Sequence, residues 1–321
     1  MRILSGIQPS GRPHLGNYFS MMKRMVEMQE GNELFAFIAS YHALTTVQNR
    51  KELEESIWNT ALDFLAVGID PKKSFFWVQS DVPQVTELCW ILSNFITVSQ
   101  LELGHSFKDK VAQGLIPNSG LFFYPVLMAA DILLFRSERV PVGKDQKQHI
   151  EFTRDIAERF NRCYGEILVI PEADIQVEVS VVPGIDGRKM SKSYKNAIYI
   201  FDEEKKLKKQ IMSIVTDSKG IHEPKDPDNS ILYKIFSLFL NENQKQELRD
   251  RFITPGTSYG QIKQELFVTI LEFFKEAREK RKELEKQKDY VYQILKEGAK
   301  KAERIAEELM QDIREKIGLK Y

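Results

Sequence analysis

Two short stretches of this sequence carry residues suited to binding phosphate, and the first lies at the start of the chain. Residues 2–18 run from apolar residues into a turn rich in glycine and proline, and then into a helix predicted to start near Asn17. Glycine lets a ligand approach the backbone, and a helix N-terminus offers unpaired N–H groups to an anion. His14, one turn earlier, would add a donor for a phosphate oxygen. The alternative is a plain strand–helix connection with His14 as an exposed loop residue.

The second stretch, residues 189–193, reads KMSKS. Lys189 and Lys192 are three residues apart with small hydroxyl side chains around them, which suits a mobile loop that closes on a polyphosphate. The alternative is a flexible basic loop without a ligand. Read together, the two stretches favour a polyphosphate site built from distant parts of the chain.

Asp131 is the third residue whose position suggests chemistry. It lies within the apolar run of residues 127–135, where a charged side chain is costly unless it meets a partner. One interpretation is a structural acid paired with Arg136 or with backbone N–H groups. The other is a buried acceptor for a ligand.

Composition indicates an ordinary globular protein, with 42% hydrophobic and 29% charged residues. No apolar run approaches the roughly 20 residues that a membrane span needs. The N-terminus leads directly into a predicted strand and lacks the pattern of a signal peptide. We therefore expect a cytosolic protein that has no membrane partner.

Cysteines and net charge narrow the function classes further. Cys89 and Cys163 are far apart and neither has a CxxC partner, which argues against zinc or iron–sulfur sites and gives a disulfide no support. The 46 basic and 46 acidic residues balance. A nucleic-acid partner would therefore have to be bound by local patches.

The elements that position these residues alternate between strand and helix up to about residue 200. Strands are predicted at residues 3–7, 34–39, 74–79, 139–142 and 167–170, and helices at residues 51–67, 84–98, 122–135 and 146–161. This alternation predicts an α/β fold with a Rossmann-type, doubly wound parallel sheet. Ligands of such sheets bind beyond the carboxyl ends of the strands, where the turns at residues 8–17, 40–43 and 143–146 fall.

Strand patterns end near residue 200, and only helices follow. They are predicted at residues 202–215, 231–240, 261–288 and 289–317, with a polar turn region at residues 216–229. We therefore predict a catalytic domain of residues 1–200, which ends in the KMSKS loop, and a C-terminal α-helical domain of residues 201–321.

The phosphate-binding stretches match the paired signatures of a known enzyme class. Residues 14–17 (HLGN) correspond to its HIGH signature, and residues 189–193 match KMSKS at all five positions. The chain thus resembles the class I aminoacyl-tRNA synthetases, in which both signatures hold ATP. Essentially the full chain is similar to the bacterial tryptophanyl-tRNA synthetases, through SGIQPSG at 5–11, YPVLMAADILL at 124–134, VPVGKDQKQH at 140–149, EFTRD at 151–155 and residues 197–218.

This resemblance implies a tryptophan–tRNA ligase. The tryptophan carboxylate would attack the α-phosphate of ATP and expel pyrophosphate, and a terminal ribose hydroxyl of tRNA would then take the tryptophanyl group. The first nucleophile is already an anion, so catalysis would consist of positioning and charge stabilisation without a general base. Mg²⁺ would be held through the ATP phosphates, because the sequence offers no acidic cage and hence no protein metal ligand.

The resemblance also implies residues for each ligand. Charge stabilisation would fall to His14, Lys110, Lys189 and Lys192. ATP would contact Gln8, Ser10, Gly16, Asn17, Gly143, Asp145, Lys189, Met190, Ser191 and Lys192. Tryptophan would contact Gln8, His42, Tyr124, Met128, Asp131, Val140, Val142 and Gln146.

Asp131 would select the amino acid, because an indole nitrogen only donates and needs an acceptor. Phenylalanine would leave that buried carboxylate unpaired, and comparable sites reject such analogues by about 10⁴-fold. Met128 would pack on the indole ring. Two assignments keep alternatives: Asp145 would also fit a capping box with Gln148, and His42 on sequence alone fits a place inside or outside the pocket equally well.

Partners follow from the same resemblance. It implies a homodimer, tRNA(Trp) read at its anticodon by the helical domain, and a last helix that packs back on the catalytic domain. A tyrosyl-tRNA synthetase shares the fold but is disfavoured by the motifs at residues 128–131 and 142–146. A paralogue that binds nucleotide or RNA without charging tRNA is disfavoured by the intact His14, Lys189 and Lys192.

Overall fold

The structure is a computed structural model of the 321-residue chain and describes residues 1–9, 11–104, 114, 118–143, 146–175 and 181–319. The chain forms two compact units. The first comprises Met1–Gly11, Met25–Val177 and Leu284–Tyr321, and the second comprises Arg12–Arg24 and Glu178–Glu283.

The described elements are numbered in chain order. The strands are β1 (Arg2–Ile7), β2 (Glu33–Ile38), β3 (Ser74–Val78), β4 (Arg139–Val142) and β5 (Glu172–Ile175). The helices are α1 (Leu15–Asn17), α2 (Lys23–Met28), α3 (Ser40–Ala43), α4 (Arg50–Val67), α5 (Gln84–Leu92), α6 (Val98–Glu102), α7 (Ser119–Leu134), α8 (Lys147–Tyr164), α9 (Glu204–Met212), α10 (Ile231–Ser237), α11 (Glu242–Ile253), α12 (Tyr259–Phe273), α13 (Lys275–Lys286) and α14 (Lys288–Ile317). Within these described helices, none is both long and apolar enough to cross a membrane.

The strands of the first unit form one parallel sheet in the order β3-β2-β1-β4-β5. Residues 34–38 of β2 are all buried, which explains their uninterrupted apolar sequence, because a strand in this position is covered on both faces. The strand order reverses between β1 and β4, where sheets of this type bind ligands. The predicted fold class, a Rossmann-type parallel sheet with a C-terminal helical domain, is confirmed.

The last helix, α14, packs against β3 in this unit. A Cβ added at Gly298 would overlap the carbonyl oxygen of Phe76 in β3, so glycine is what lets the two backbones come so close. Small buried residues, Ala302 and Ala306, continue the same face of the helix. Near the end of α14, Arg314 Nε and Nη2 donate to Oε1 and Oε2 of Glu87 in α5, at 2.8 and 2.6 Å.

In the second unit, α9 packs against α12, and residues 12–24 join the unit through backbone and aromatic contacts. Leu15 N donates to the carbonyl oxygen of Ile198 at 3.0 Å. The rings of Tyr18 and Phe274 meet edge to face with centroids 4.7 Å apart, and Phe19 meets Phe239 in the same way at 5.2 Å. These contacts fix the start of the chain's first helix, and with it His14, to the second unit.

One predicted strand is wrong. Residues 167–170 form no strand, and the fifth strand is β5 at Glu172–Ile175. The reason is local: Asn161 Oδ1 accepts from the backbone N–H groups of Ile167 and Leu168 at 3.1 and 2.9 Å, and Asn161 Nδ2 donates to Leu168 O at 2.8 Å. These backbone groups are satisfied by a side chain, so the apolar run forms a loop.

Several predicted helix limits also differ from the structure. The helix predicted at residues 84–98 ends at Leu92 and passes into a 3₁₀ turn at Ser93–Phe95. The predicted helix at 261–288 is two helices, α12 and α13, which meet at Phe274. Helix α11 lies in a segment for which no helix was predicted.

The compact units divide the chain differently from the predicted boundary at residue 200. Residues 178–200, which include the KMSKS loop, group with residues 201–283, and residues 284–321 group with the sheet. The backbone of the loop segment explains the first difference, because Val215 N donates to Ile185 O at 2.8 Å.

Candidate active site

Asp131 lies within α7 and is only 3% exposed. Its Oδ1 and Oδ2 accept hydrogen bonds from Gln79 Nε2 at 2.7 and 2.9 Å, and Oδ2 also accepts from His42 Nε2 at 2.8 Å. Burial raises the pKa of the Asp131 carboxyl, and the hydrogen bonds from His42 and Gln79 oppose that rise. These contacts offset the cost of desolvation and hold the carboxylate in one direction.

Asp131 is not paired with Arg136, which was one of the partners that the sequence suggested for it. Arg136 Nη2 donates instead to Asp312 Oδ2 of α14 at 3.1 Å. Asp131 meets His42, so the structure places this histidine beside the carboxylate and not elsewhere.

The sheet explains why His42 and Gln79 reach the same carboxylate. His42 lies in α3, directly after β2, and Gln79 directly follows β3. Neighbouring parallel strands end at the same edge of a sheet, so their following turns lie side by side. Ser80 N donates to Ser40 Oγ at 3.1 Å and joins the two turns.

Tyr124 and His149 form a second buried polar pair in this unit. The Tyr124 hydroxyl and His149 Nε2 are 2.6 Å apart, and both residues are buried. The rings of Tyr124 and His42 meet edge to face with centroids 6.4 Å apart. The pair therefore extends the group around Asp131, with His149 fixing the direction of the tyrosine hydroxyl.

The other predicted tryptophan contacts lie in two places. Val140 belongs to the apolar core, and Met128 and Val142 are partly buried against it. Gln8 and Gly143 are exposed and directly follow β1 and β4, and Gln146 N donates to Gly143 O at 3.0 Å. The structure thus brings Asp131, His42 and Tyr124 together, while Gln8, Gly143 and Gln146 lie just beyond the ends of β1 and β4.

In the second unit, His14 is the N-cap of α1. His14 Nδ1 accepts from Asn17 N at 3.2 Å, and Asn17 Oδ1 accepts from His14 N at 3.1 Å. Because Nδ1 is an acceptor, the proton of the neutral ring is on Nε2, which is left as the donor. Burial, and then the charge of Lys192, lower the pKa of His14 to about 4. The imidazole is therefore neutral at physiological pH.

Gly16 and Met190 join this cap to the KMSKS loop. A Cβ added at Gly16 would lie 2.9 Å from His14 Nδ1 and 3.5 Å from Met190 Cβ, so the glycine leaves room for both side chains. Met190 is buried, whereas Lys189 is exposed and Lys192 half-buried. The structure therefore brings His14, Gly16 and the loop together in one unit.

Asn196 supports the KMSKS loop from inside. Its Oδ1 accepts from Ser191 N at 2.8 Å, and its Nδ2 donates to Asp186 Oδ1 at 2.7 Å and to Lys189 O at 3.1 Å. Asn196 is 1% exposed, and a Cβ at Gly184 would overlap its side-chain amide. One buried amide thus links both ends of the loop that carries Lys189 and Lys192.

Sequence reasoning missed Gln79, His149 and Asn196. Gln79 and His149 lie at the ends of elements and Asn196 lies in a loop, where periodicity gives no signal. Of the three, only His149 falls within a family-like segment, at the end of residues 140–149. Ser10, Lys110 and Asp145, predicted to contact ATP, lie outside the described residues. Among the residues that the structure describes, no group of three or more His, Cys, Asp or Glu could hold a metal ion.

Comparison with known proteins identifies the family. The family model described as "tRNA synthetases class I (W and Y)" matches residues 1–275. A tryptophan–tRNA ligase of Fusobacterium nucleatum is 54% identical over 319 residues, which cover 99% of this chain and 98% of that protein.

Solved structures agree in fold over the full chain. Tryptophanyl-tRNA synthetase of Campylobacter jejuni, in complex with ADP and tryptophan, is 54% identical with a TM-score of 0.95 and covers 99% of this chain and 100% of its own. The enzyme of Mycoplasma pneumoniae is 29% identical with a TM-score of 0.82, over 99% of this chain and 97% of its own. This chain therefore belongs to the class I tRNA synthetases for tryptophan and tyrosine.

Proposed function

We propose that this chain is a tryptophan–tRNA ligase. It activates tryptophan with ATP, giving tryptophanyl-adenylate and pyrophosphate, and then transfers tryptophan to the 3′ end of its tRNA. One observation carries the choice of tryptophan: a buried carboxylate, Asp131, is held by two donors in the first unit. The relatives that are 54% identical over the full chain support it, because they are tryptophan–tRNA ligases.

Tryptophan recognition rests on the residues around Asp131. The carboxylate accepts the indole N–H, which is a donor only. His42, Met128, Val140 and Val142 provide the surroundings of the ring. Tyr124, Gln8 and Gln146 bind the polar head of the amino acid.

ATP is bound as its magnesium complex, with the ion held by the phosphates. Lys189 and Lys192, with Lys110, provide positive charge for the phosphates. The remaining ATP contacts are Gln8, Ser10, Gly16, Asn17, Gly143, Asp145, Met190 and Ser191.

In the activation step, the tryptophan carboxylate forms a bond to the α-phosphorus while the bond to pyrophosphate breaks. The nucleophile is already an anion, so no proton has to be removed. His14 fits the role of a neutral donor to a phosphate oxygen, since its pKa of about 4 leaves it uncharged and the contact of Nδ1 with Asn17 N places the ring proton on Nε2. Lysine charges then stabilise the developing negative charge of the leaving group.

The second step needs the tRNA. We assign anticodon reading to the helical domain of residues 201–321 and the catalytic steps to residues 1–200, with the last helix packed on the sheet.

We place the enzyme in the cytoplasm and assign it a homodimeric state. The side chain of Trp90 on α5 supports the dimer, because it is 74% exposed and tryptophan favours interfaces. Sedimentation of Trp90→Ala against the unchanged protein tests this assignment, and a monomer in both would contradict it.

Aminoacylation tests the complete function. The protein is incubated with ATP, labelled tryptophan and bulk bacterial tRNA, and acid-precipitable label is counted. We expect label that is lost on mild alkaline treatment, which cleaves the ester to the ribose. Absence of such label would contradict the proposal, and so would label that appears only when labelled tyrosine replaces tryptophan in the assay.

A further inference from the structure

Gln79 is a buried glutamine next to the candidate tryptophan site and is 2% exposed. Its Oε1 accepts from the backbone N–H of Tyr41 at 2.9 Å, and its Nε2 lies 2.7 and 2.9 Å from the two oxygens of Asp131. A backbone N–H can only donate, so the atom facing Tyr41 is the oxygen. The NH₂ group therefore faces Asp131.

This orientation constrains the carboxylate. An NH₂ group offers only donors, so it is complementary to an ionised Asp131, which only accepts. Two carboxylate oxygens offer about four acceptor positions. Gln79 contacts both oxygens and His42 contacts one, so acceptor capacity remains for a further donor.

Gln79 is held in place by contacts with other parts of the protein. It directly follows β3, and its contact with Tyr41 N ties it to the turn after β2. Protein contacts at both ends of the amide thus define its position. Preorganised polar groups of this kind are worth most when they stay fixed as the ligand arrives.

We propose that Gln79 is a positioning residue for tryptophan selection, which holds the Asp131 carboxylate so that one oxygen is turned to accept the indole N–H. This inference rests on the proposed function. A purely structural Gln79 would link α7 to the turn after β2 and would have no effect on which amino acid is chosen.

Gln79→Glu is the decisive variant, because it keeps the oxygen that faces Tyr41 and replaces only the group that faces Asp131. Two carboxylates would then share this buried place, and the acceptor for the indole would be lost or redirected. We expect the KM for tryptophan in ATP–pyrophosphate exchange to rise by about 10- to 100-fold, as for a lost hydrogen bond to a charged group. The KM for ATP should stay unchanged.

A substrate analogue separates positioning from structure. Benzothienylalanine has a sulfur in place of the indole N–H and cannot donate to Asp131. Gln79→Glu should therefore weaken tryptophan much more than this analogue, and the preference for tryptophan over the analogue should fall by about tenfold or more. Gln79→Met, which removes both polar atoms without adding a charge, should lower the same preference.

Gln29 supplies the matched control in the same unit. It is also buried, and its amide bridges two backbone groups: Oε1 accepts from Asp70 N and Nε2 donates to Gly68 O, both at 2.9 Å. Gln29→Glu should lower thermal stability while it leaves the preference for tryptophan over benzothienylalanine unchanged.

The outcomes are distinct. If the unchanged protein shows tryptophan-dependent exchange and a folded Gln79→Glu or Gln79→Met keeps its preference over the analogue, the role of Gln79 is overturned and the proposed function stands. If the unchanged protein shows no tryptophan-dependent exchange, both are overturned. A loss of preference in the Gln79 variants that also appears in Gln29→Glu would likewise contradict a specific role for Gln79.

Discussion

His14 owes its protonation state to its immediate neighbours. Its pKa is lowered to about 4, first by burial and then by Lys192, while Asn17 N occupies Nδ1. A neutral ring with a fixed tautomer offers Nε2–H as a donor without a gain or loss of charge. This fits a phosphate contact better than general-base catalysis, which works best with a pKa near the working pH.

The lowered pKa of His14 predicts a dependence of stability on pH. In the unfolded chain the histidine binds a proton near its ordinary pKa of 6.5, whereas in the folded protein it does so only near 4. Between these values the unfolded state holds more protons, so the free energy of unfolding falls as the pH falls. The melting temperature of His14→Asn, which keeps a capping side chain, should therefore decrease less between about pH 7 and pH 5 than that of the unchanged protein. Parallel decreases in both proteins would contradict this account.

Replacing Asp131 tests whether it reads the indole. Asp131→Ala removes the buried acceptor and leaves Gln79 and His42 without their shared partner. We expect the KM for tryptophan to rise by about 10- to 100-fold and discrimination against phenylalanine to decrease, measured by ATP–pyrophosphate exchange. Unchanged selectivity in a protein that is merely less stable would make Asp131 structural.

At this scale the sequence singled out Asp131 but not the residues that contact it. Asp131 was recognisable because a charge inside an apolar helical run is rare. Its donor Gln79 was not, since a glutamine at the end of a strand looks like any other polar residue there. The contact arises only when β2 and β3 lie side by side in the sheet.

The KMSKS loop illustrates how an element depends on residues outside its signature. Asn196 binds Ser191 N, Lys189 O and Asp186 at once, and Gly184 makes room for it. The backbone that carries the lysines of the loop is thus held by Asn196, which lies three residues beyond the signature. The motif predicts phosphate binding, and the structure adds the contacts of Asn196 that hold the loop.

Gly184→Ala should disturb the contacts of Asn196 with the KMSKS loop. The added methyl group would overlap the amide of Asn196, and such overpacking costs about 1–3 kcal/mol. We expect the kcat of tryptophan activation to fall by about tenfold or more, with a smaller effect on the KM for tryptophan.

Gly260→Ala is the control in the same unit, because a methyl group there would meet only Ser258 Oγ, at 3.9 Å. Its exchange rate should equal that of the unchanged protein. Equal rates for Gly184→Ala would show that Asn196 does not position the loop.

Elements with a strong pattern were predicted well, and elements decided by single side chains were not. Strand β2 is an unbroken apolar run and lies within one residue of its predicted limits. The strand expected at residues 167–170 failed because the side chain of Asn161 takes the backbone hydrogen bonds that a neighbouring strand would have received. The break between α12 and α13 falls in a continuous helical pattern, which does not reveal it.

At the scale of the whole molecule, the chain returns to its first unit after forming the second. Helix α14 packs on β3, with Gly298 against the backbone of Phe76. Sequence position suggested a boundary near residue 200, but compact units follow contacts and not chain order. Residues 12–24 belong to the second unit for the same reason.

Gly298→Ala tests how much the packing of α14 on β3 contributes to the stability of the protein. The methyl group would overlap the Phe76 carbonyl oxygen, so the helix must shift from the sheet and lose buried apolar contacts. We expect the melting temperature to fall by several degrees. At Gly120, on α7, an added methyl group would meet atoms only at ordinary contact distances of 3.4 and 3.8 Å, so Gly120→Ala should melt close to the unchanged protein. Equal melting of both variants would contradict the packing role of Gly298.

The central claim is that this protein activates tryptophan with ATP. Amino-acid-dependent ATP–pyrophosphate exchange tests it most directly, with each of the twenty amino acids supplied in turn. We expect exchange with tryptophan, slower exchange with tyrosine, and a preference over phenylalanine on the order of 10⁴-fold, because phenylalanine has no donor for the acceptor position that Gln79 and His42 leave on the Asp131 carboxylate. Absence of exchange with tryptophan, or faster exchange with tyrosine, would contradict the account.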